Sequence, residues 1–153
     1  MSYLTVTTLT EAKNYLRIDD SLTEDDSLIT TMINAAWQYI ETYTNVLVYA
    51  RDKKYKLIDG CERIYDFPIN SITETVETEE KHLYSIISYG SSTVEINANV
   101  GYTLPTDVPS DLKKVALQII DSFYYDKGDG KTIEQNLSAL SINILNQNKR
   151  FLL

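Results

Sequence analysis

The sequence predicts a mostly α-helical protein: a small bundle of about four helices with a β-rich insertion between the second and third long segments. Two long series of apolar residues at helical spacing, one in each half of the chain, indicate the helices. Between them the spacing changes to that of short strands. A chain of 153 residues fits one domain. We therefore expect a single domain, 1–153, with a helical body (8–45 and 109–148), an insertion (46–103) and a C-terminal tail (149–153).

The first two helices follow from capping and charge signals. Thr8 and Glu11 form a capping-box pattern that opens a short helix ending near Arg17. After an acidic linker, Thr23 is expected to cap a second helix, with three acids in its first turn, that ends near Thr44. Its apolar positions form one continuous stripe: Leu28, Ile29, Met32, Ile33, Ala36, Trp37, Ile40 and Tyr43. This helix is predicted to be the centre of the core.

The insertion contains short β-branched and aromatic runs separated by turn residues. Residues 54–58 alternate between polar and apolar, Asp59 and Gly60 are typical of a hairpin turn, and 63–65 can return as the second strand. The charged stretch 74–81 is expected to be a solvated loop or a strand extension.

Helical periodicity returns in the C-terminal third. Ser110 is the expected N-cap of a helix that ends at Tyr124 and Tyr125. Its apolar stripe is Leu112, Val115, Ala116, Ile119, Ile120 and Phe123. The glycines of 128–130 are expected to stop it, and a last helix is predicted over about 137–148.

The net charge of −8 excludes some functions. Residues 1–50 carry seven acids and two bases, a net −5. Nucleic-acid binding depends largely on Lys and Arg neutralising phosphates, so a chain this acidic is poorly suited to gripping DNA. An acidic surface could instead line a passage through which DNA slides. The absence of any apolar run near 18–20 residues predicts no membrane span, and the N-terminus lacks the pattern of a secretion signal, so we expect synthesis in the cytoplasm.

Motifs that would carry catalysis or bind a cofactor are incomplete. Gly130, Lys131 and Thr132 resemble the end of a phosphate-binding loop, but the required first glycine is replaced by Tyr125 and the segment follows a helix. The acids at 19–26 lack the alternating spacing of a calcium loop. The one cysteine, Cys61, and the one histidine, His82, supply no zinc-ligand set and only weak support for a Cys–His nucleophile. We expect no cofactor, no metal and no enzyme activity.

Tyrosine is unusually abundant, with twelve residues. Its side chain combines apolar area with a hydroxyl, which suits protein–protein interfaces. Tyr124 and Tyr125 are adjacent on one helix and point about 100° apart, so they cannot both face the core. One of them is a candidate contact with another molecule; the alternative is a partly exposed surface tyrosine.

The order of segments resembles the head-to-tail connector (adaptor) proteins of tailed bacteriophages, which form a ring beneath the portal. The resemblance rests on residues 9–19 (LTEAKNYLRID), 24–29 (EDDSLI), 35–36 with 40–44 (AA and IETYT), 108–113 (VPSDLK) and 123–125 (FYY). It departs from the family where relatives often place an arginine after the tyrosine pair, since this chain has Asp126, Lys127 and Gly128.

The resemblance implies a structural virion protein of the neck, assembled in the host cytoplasm into a ring of about twelve subunits that joins head to tail and lets DNA pass. The implied partners are further copies of the chain, the portal protein, the next neck or tail-completion protein, and DNA that is not specifically bound. We expect 144–153 to dock on the portal, because an apolar tail after a base is costly to leave in water. The candidate subunit or portal contacts are Tyr124, Tyr125, Ile144, Arg150, Phe151, Leu152 and Leu153.

Two other functions remain open from the residues alone. One is a small monomeric protein-binding or regulatory module with a tyrosine-rich interaction surface. The other, an acid-dependent hydrolase or metal enzyme, has the least support, since no carboxylate pair comes with a base or ligand set.

Overall fold

Six α-helices and six β-strands form within the residues that the computed structural model describes, which are 2–73, 77–80, 85–88, 90, 93–125 and 132–150. The helices are α1 (Tyr3–Val6), α2 (Leu9–Leu16), α3 (Asp26–Thr44), α4 (Ser110–Tyr125), α5 (Ile133–Asn136) and α6 (Ala139–Gln147), with a 3-10 turn at Pro105–Asp107. The strands are β1 (Arg51–Leu57), β2 (Cys61–Ile64), β3 (Ile69–Ile72), β4 (Glu77–Glu80), β5 (Ser85–Ser88) and β6 (Val94–Val100).

The prediction of a mostly α-helical bundle is wrong: the chain is a mixed α/β protein with two antiparallel sheets of three strands each. The sheets have the strand orders β1-β6-β3 and β2-β5-β4. Four of the six strands have only four residues, too few to give a clear alternating pattern. Some strand segments could therefore be predicted from the sequence, but not their assembly into two three-stranded sheets.

The helical body is built on α3, as predicted. Its stripe is fully buried at Ile29, Ile33 and Trp37, whereas Leu28 at the edge of the stripe remains 43% exposed. The buried face of α3 packs mainly on that of α4, and α1, α2 and α6 pack around the pair. Each large aliphatic side chain buried in this way contributes about 1.5–3 kcal/mol to folding. Trp37 also donates its indole N–H to the Thr7 hydroxyl at 3.1 Å, so the buried indole keeps a polar partner.

The observed helix starts confirm one capping prediction and contradict the other. The capping box at Thr8 and Glu11 is present, with each side chain bonded to the backbone N–H of the other residue. Thr23 does not cap α3, which begins at Asp26 after an N-cap at Asp25. Residue 23 instead belongs to a turn, in which its carbonyl accepts from the Asp26 N–H.

The C-terminal helices match their predicted positions to within two residues. Helix α4 begins with Ser110, so this residue is the first helical one and not the N-cap that precedes the helix. Helix α6 confirms the predicted last helix and is capped by Ser138, whose hydroxyl accepts from the Ser141 N–H. The short helices α1 and α5 were not predicted. The predicted stop at 128–130 lies outside the described residues, as do 126–127 and 131.

The predicted hairpin between β1 and β2 is wrong beyond its turn. Asp59 and Gly60 both have positive φ, 53° and 74°, as a tight hairpin turn requires. A single bridge joins Ile58 to Cys61, after which β1 pairs with β6 and β2 pairs with β5. Leu57 and Ile64, on either side of the turn, are buried in one cluster with Ile87 and Ile96 from β5 and β6. Burial between the two sheets thus separates strands that the turn alone would pair.

The charged stretch after β3 contains strand β4, which pairs with β5. Residues 74–76 and 81, and His82 beside them, lie outside the described residues. No helix in the described part of the chain is both long enough and apolar enough to span a membrane.

The carboxylate of Glu41 joins the helical body to the insertion. It lies near the end of α3, is 8% exposed, and accepts three hydrogen bonds. The donors are the Tyr3 hydroxyl (2.8 Å), the Val48 N–H (2.7 Å) and the Arg51 guanidinium (2.8 Å). Burial, followed by the adjacent Glu41 carboxylate, raises the pKa of Tyr3 well above its usual range, so that hydroxyl stays a donor. These bonds fix the first strand of the insertion on the long helix.

Candidate docking surface

The predicted contacts Tyr124 and Tyr125 lie where α4 meets the end of α2 and the start of α3. Tyr124 donates its hydroxyl to the Asp25 carboxylate at 2.5 Å, and this bond raises its pKa. Tyr125 donates to the Leu16 carbonyl at 2.9 Å. The two rings meet edge to face, with centroids 5.1 Å apart. Both tyrosines therefore hold helices together within the subunit, but Tyr125 remains 60% exposed and can also contact another molecule.

Exposed carboxylates and apolar side chains lie on the end of α2, the linker after it and the start of α3, which the two tyrosines contact at Leu16 and Asp25. We call this surface the acidic end; its exposed residues are Tyr15, Asp19, Asp20, Leu22, Glu24, Leu28 and Tyr125. Asp19 accepts hydrogen bonds from the Ser21 hydroxyl (2.6 Å) and N–H (2.8 Å). These bonds lower the pKa of Asp19 below its usual range, so its charge persists into mildly acidic solution.

Lys13 determines the path of the acidic linker. Its ammonium is almost fully buried, at 2% exposure, and donates to the carbonyls of Asp20 (3.0 Å) and Leu22 (2.6 Å) and to the Asp26 carboxylate (2.9 Å). Arg17, in the left-handed conformation with φ of 59°, ends α2 and turns the chain into the linker. The linker is thereby wrapped around one ammonium, and the side chains of Asp20 and Leu22 point to solvent.

The predicted C-terminal contacts divide into three groups. Ile144 is 9% exposed and belongs to the main core cluster. Arg150 is 6% exposed; its N–H donates to the Thr44 carbonyl at 2.8 Å and its guanidinium lies over the Phe67 ring at 4.3 Å. Phe151, Leu152 and Leu153 lie outside the described residues. The chain is thus held against the end of α3 and the insertion as far as residue 150.

A second exposed surface lies on β1 and was not predicted. Arg51 and Lys53 of this strand pair within the subunit, with Glu41 and Asp66. Lys54 and Lys56 are exposed, on the opposite face of the strand. Ile58, which follows β1 directly, is 59% exposed. The same face carries exposed Asp52 and, opposite Lys56, exposed Glu95, so we call it the charged strand surface. Four bases within residues 51–56 of an acidic chain were the sequence signal for it.

Among the described residues, a polar cavity of about 240 Å³ lies on the face of the β1-β6-β3 sheet that bears Asp52. It is lined by Asp52, Ser71, Thr73, Asn97, Ala98 and Asn99. Its one carboxylate, Asp52, already accepts a hydrogen bond from the Asn99 amide at 2.7 Å. In the described part of the chain, no group of three or more His, Cys, Asp or Glu residues is placed to hold a metal ion.

Solved structures share the fold over nearly the whole chain. One is a chain from the neck of an empty gene transfer agent (GTA) particle computed with C6 symmetry, with a TM-score of 0.78 and 15% identity, covering 97% of this chain and 92% of that chain. A chain from the virion of a native GTA particle gives a TM-score of 0.78 and 14% identity, covering 100% and 94%. A chain from the neck of a native GTA particle computed with C12 symmetry gives 0.73 and 15%, covering 97% and 91%.

A comparison with curated proteins found no significant match. The sequence does match a family model described as the phage gp6-like head-tail connector protein, over residues 6–150. That range includes helices α2 to α6 and every described strand. This family is a structural one and not a family of enzymes. Because the match spans nearly all of its 153 residues, the chain belongs to the phage gp6-like head-tail connector family.

Proposed function

We propose that this protein is a structural subunit of the virion neck, which forms a homo-oligomeric ring that joins the portal of the head to the tail and lets DNA pass. The observation that carries the proposal is the family match over residues 6–150. Its support is the shared fold with chains from GTA necks computed with C6 and C12 symmetry, which suggests about twelve copies in a ring. The net charge of −8 suits a passage that DNA traverses without being held.

A ring of identical subunits needs two different surfaces on each subunit, which meet head to tail with a rotation that closes. The acidic end and the charged strand surface are two such exposed and different surfaces. Tyr125 is the proposed aromatic contact at the first of them, since it keeps most of its ring exposed while its hydroxyl is held by Leu16. The portal contact is proposed to lie further along the chain, at Phe151, Leu152 and Leu153.

Electron microscopy tests the ring directly. The purified protein is imaged alone and after mixing with heads that carry the portal, at the same protein concentration. We expect closed rings of about twelve subunits on the portal-bearing heads, because a head-to-tail contact with the right rotation closes on itself. A protein that stays monomeric in both samples and does not bind the heads would contradict the proposal and favour the monomeric binding module.

Removal of residues 151–153 is expected to abolish attachment to heads while leaving the subunit folded. The three residues include Phe151 and two leucines, an apolar end suited to burial in a partner. The contacts of Arg150 with Thr44 and Phe67 remain in the shortened chain. Co-sedimentation with portal-bearing heads measures attachment, and thermal unfolding measures the fold.

A longer deletion, 144–153, serves as the control for folding. It removes Ile144 and Leu145 from the core, where loss of each large aliphatic side chain costs about 2–5 kcal/mol, so this variant should be unstable. The truncation at 151 should keep the unfolding temperature of the full chain. Normal attachment by the chain that ends at Arg150 would refute the proposed portal contact but would leave the proposal of a ring unaffected.

A further inference from the structure

The long helix α3 exposes a face that carries no charged side chain. Residues 27–50 contain one charged residue, Glu41, although 24% of the whole chain is charged, and the Glu41 carboxylate is buried. The outer side of a solvated helix is typically rich in charged residues, which also favour the helix more than serine or threonine does. Depletion of charge is instead typical of the centre of a protein–protein interface. The exposed positions of α3 are Ser27, Leu28, Thr31, Gln38 and Thr42.

The fold places a second uncharged stretch beside this one. Residues 132–148 contain one charged residue, Glu134, and form α5 and α6, of which α6 lies against α3. The Tyr39 hydroxyl donates to the Glu134 carboxylate, and the Tyr43 hydroxyl donates to the Asn146 side-chain oxygen at 2.8 Å. These bonds join residues that lie 95 and 103 positions apart in the chain. We call the exposed positions of α3 and α6 the uncharged face; those of α6 are Ala139, Leu140, Asn143, Asn146 and Gln147.

Charged side chains at the margins of the uncharged face are engaged within the subunit. Asp25 and Asp26, at the start of α3, each accept a hydrogen bond from a side chain of another helix. Near the other end, the Lys149 ammonium lies 4.3 Å from the centre of the Tyr43 ring. Desolvation of a charged group is the most costly part of covering a polar surface, and contact with this face avoids it.

A solvated polar surface would explain each exposed serine, threonine or amide taken singly. It does not explain why two segments far apart in the sequence both lack charge and lie side by side. Nor does it explain the leucines in water, Leu28 at 43% and Leu140 at 58% exposure. Uncharged polar area with exposed leucines is typical of a surface that another macromolecule covers.

The charge of the chain favours one kind of occupant. Each copy carries a net charge of −8, so two copies repel each other wherever their acidic surfaces meet. A face without charge is where such copies approach each other with the least repulsion. DNA is bound through Lys and Arg, which this face lacks. A partner of opposite charge would be attracted to the acidic surfaces instead.

We infer that the uncharged face of each subunit packs against the neighbouring copy of this chain, along the length of α3. This inference rests on the proposed ring and names a surface through which its subunits meet. Helix α3 offers roughly 28 Å for the contact, at 1.5 Å per residue. Its short Ser27 and Thr31 side chains let the neighbour approach closely, and the Thr31 hydroxyl is already satisfied by the Ser27 carbonyl at 3.0 Å.

Charge of either sign on the uncharged face tests the contact. One variant is Thr31→Lys with Gln38→Lys, and the other is Thr31→Glu with Gln38→Glu. Both positions are exposed, and lysine and glutamate favour a helix at least as well as the residues they replace, so the subunit should stay folded. Because either charge would lose its water in the contact, we expect the protein concentration needed for half-maximal ring formation to rise about tenfold or more in both variants.

Matched control variants place the same charges on exposed threonines outside the uncharged face. They are Thr10→Lys with Thr106→Lys, and Thr10→Glu with Thr106→Glu. Each control changes the net charge by as much as the variant it accompanies, and each should assemble like the unmodified protein. Urea unfolding, followed by the fluorescence of Trp37, checks that all four variants are folded.

Ionic strength separates an uncharged contact from one held by charge. The unmodified protein should form rings at about 1 M salt at least as readily as at about 0.1 M, because the Debye length falls from roughly 10 to roughly 3 Å and the repulsion between subunits is screened. Rings that form at the lower salt concentration and are lost at the higher one would contradict the inference.

A photo-cross-linking residue in an otherwise unmodified chain, Gln38→p-benzoylphenylalanine, identifies the occupant independently of the charged variants. It is irradiated after assembly on portal-bearing heads, and the products are separated by mass. We expect a product of two copies of this chain. A cross-link to the portal or to another head protein, with no product of two copies, would overturn the inference.

Rings are counted by native mass spectrometry and electron microscopy, with and without portal-bearing heads. Loss in both charged variants, with normal rings in both controls, supports the inference. Normal rings in either charged variant, or equal loss in the controls, overturn it, whereas rings of the unmodified protein in the same samples show that the proposed function stands. If the unmodified protein forms no ring in any sample, the proposed function and this inference both fail.

Discussion

Replacement of Glu41 with alanine is expected to lower the free energy of unfolding by about 2–4 kcal/mol, because it leaves buried donors without an acceptor and half-buried Arg51 without its counter-ion. The 8% exposed carboxylate is the shared acceptor for Tyr3, Val48 and Arg51. Without it, the Val48 N–H and the Tyr3 hydroxyl lose their acceptor, and the Arg51 charge loses its counter-ion. Urea unfolding monitored by fluorescence of Trp37, the one tryptophan, measures the loss.

Two further variants separate the charge from the hydrogen bonds. Glu41→Gln keeps an oxygen acceptor but not the charge, so its loss should fall between those of the alanine variant and the unmodified protein. Glu24→Ala removes an exposed carboxylate and should change stability by no more than about 0.5 kcal/mol. If Glu41→Ala cost less than about 1 kcal/mol, the three hydrogen bonds would not be what joins the helical body to the insertion.

Replacement of Lys13 with methionine is expected to cost about 2–4 kcal/mol. Methionine keeps an unbranched apolar stem in the buried position, but the carbonyls of Asp20 and Leu22 and the carboxylate of Asp26 lose their common donor. The linker should then exchange its amide hydrogens faster than the rest of the chain. Hydrogen exchange followed by mass spectrometry, together with urea unfolding, measures both effects.

The control for this change is Lys114→Met on the exposed side of α4, which should alter neither stability nor exchange of the linker. A second consequence concerns assembly. Because the linker carries the carboxylates of the acidic end, Lys13→Met should also weaken ring formation under conditions in which the subunit is still folded. Unchanged linker exchange in Lys13→Met would show that the ammonium does not determine the path of the linker.

The helical body was predictable because its signals are long or local. The stripe of α3 repeats over 19 residues, and the Thr8 capping box needs only four. The start of α3 was misplaced at Thr23 because it depends on Lys13, ten residues away, which draws the linker carbonyls towards itself. No property of the linker alone reveals that contact.

The insertion and the docking surfaces were harder to predict from the sequence, because they too depend on contacts between residues that lie far apart in the chain. Pairing of β1 with β6 joins residues more than thirty positions apart, and a tight turn after β1 pointed to a nearer partner. Ile144 and Arg150 were predicted to belong to a docking tail because an apolar end follows a base. Both are buried against their own subunit. Of the tyrosine pair, one member was predicted to be a contact outside the core; Tyr125 is the more exposed of the two, and its contact with another molecule stays a prediction.

The attachment of β1 to α3 through Glu41 would transmit force between these two elements in a ring. If DNA passes through the ring as proposed, an outward push from it would be borne as tension around the circumference of the ring. In the proposed arrangement, this tension enters each subunit along α3 and reaches the insertion through β1. The hydrogen bonds of Glu41 to Val48 and Arg51 lie at the change of direction between helix and strand. The same buried carboxylate that stabilises the isolated subunit would therefore also bear load in the proposed ring.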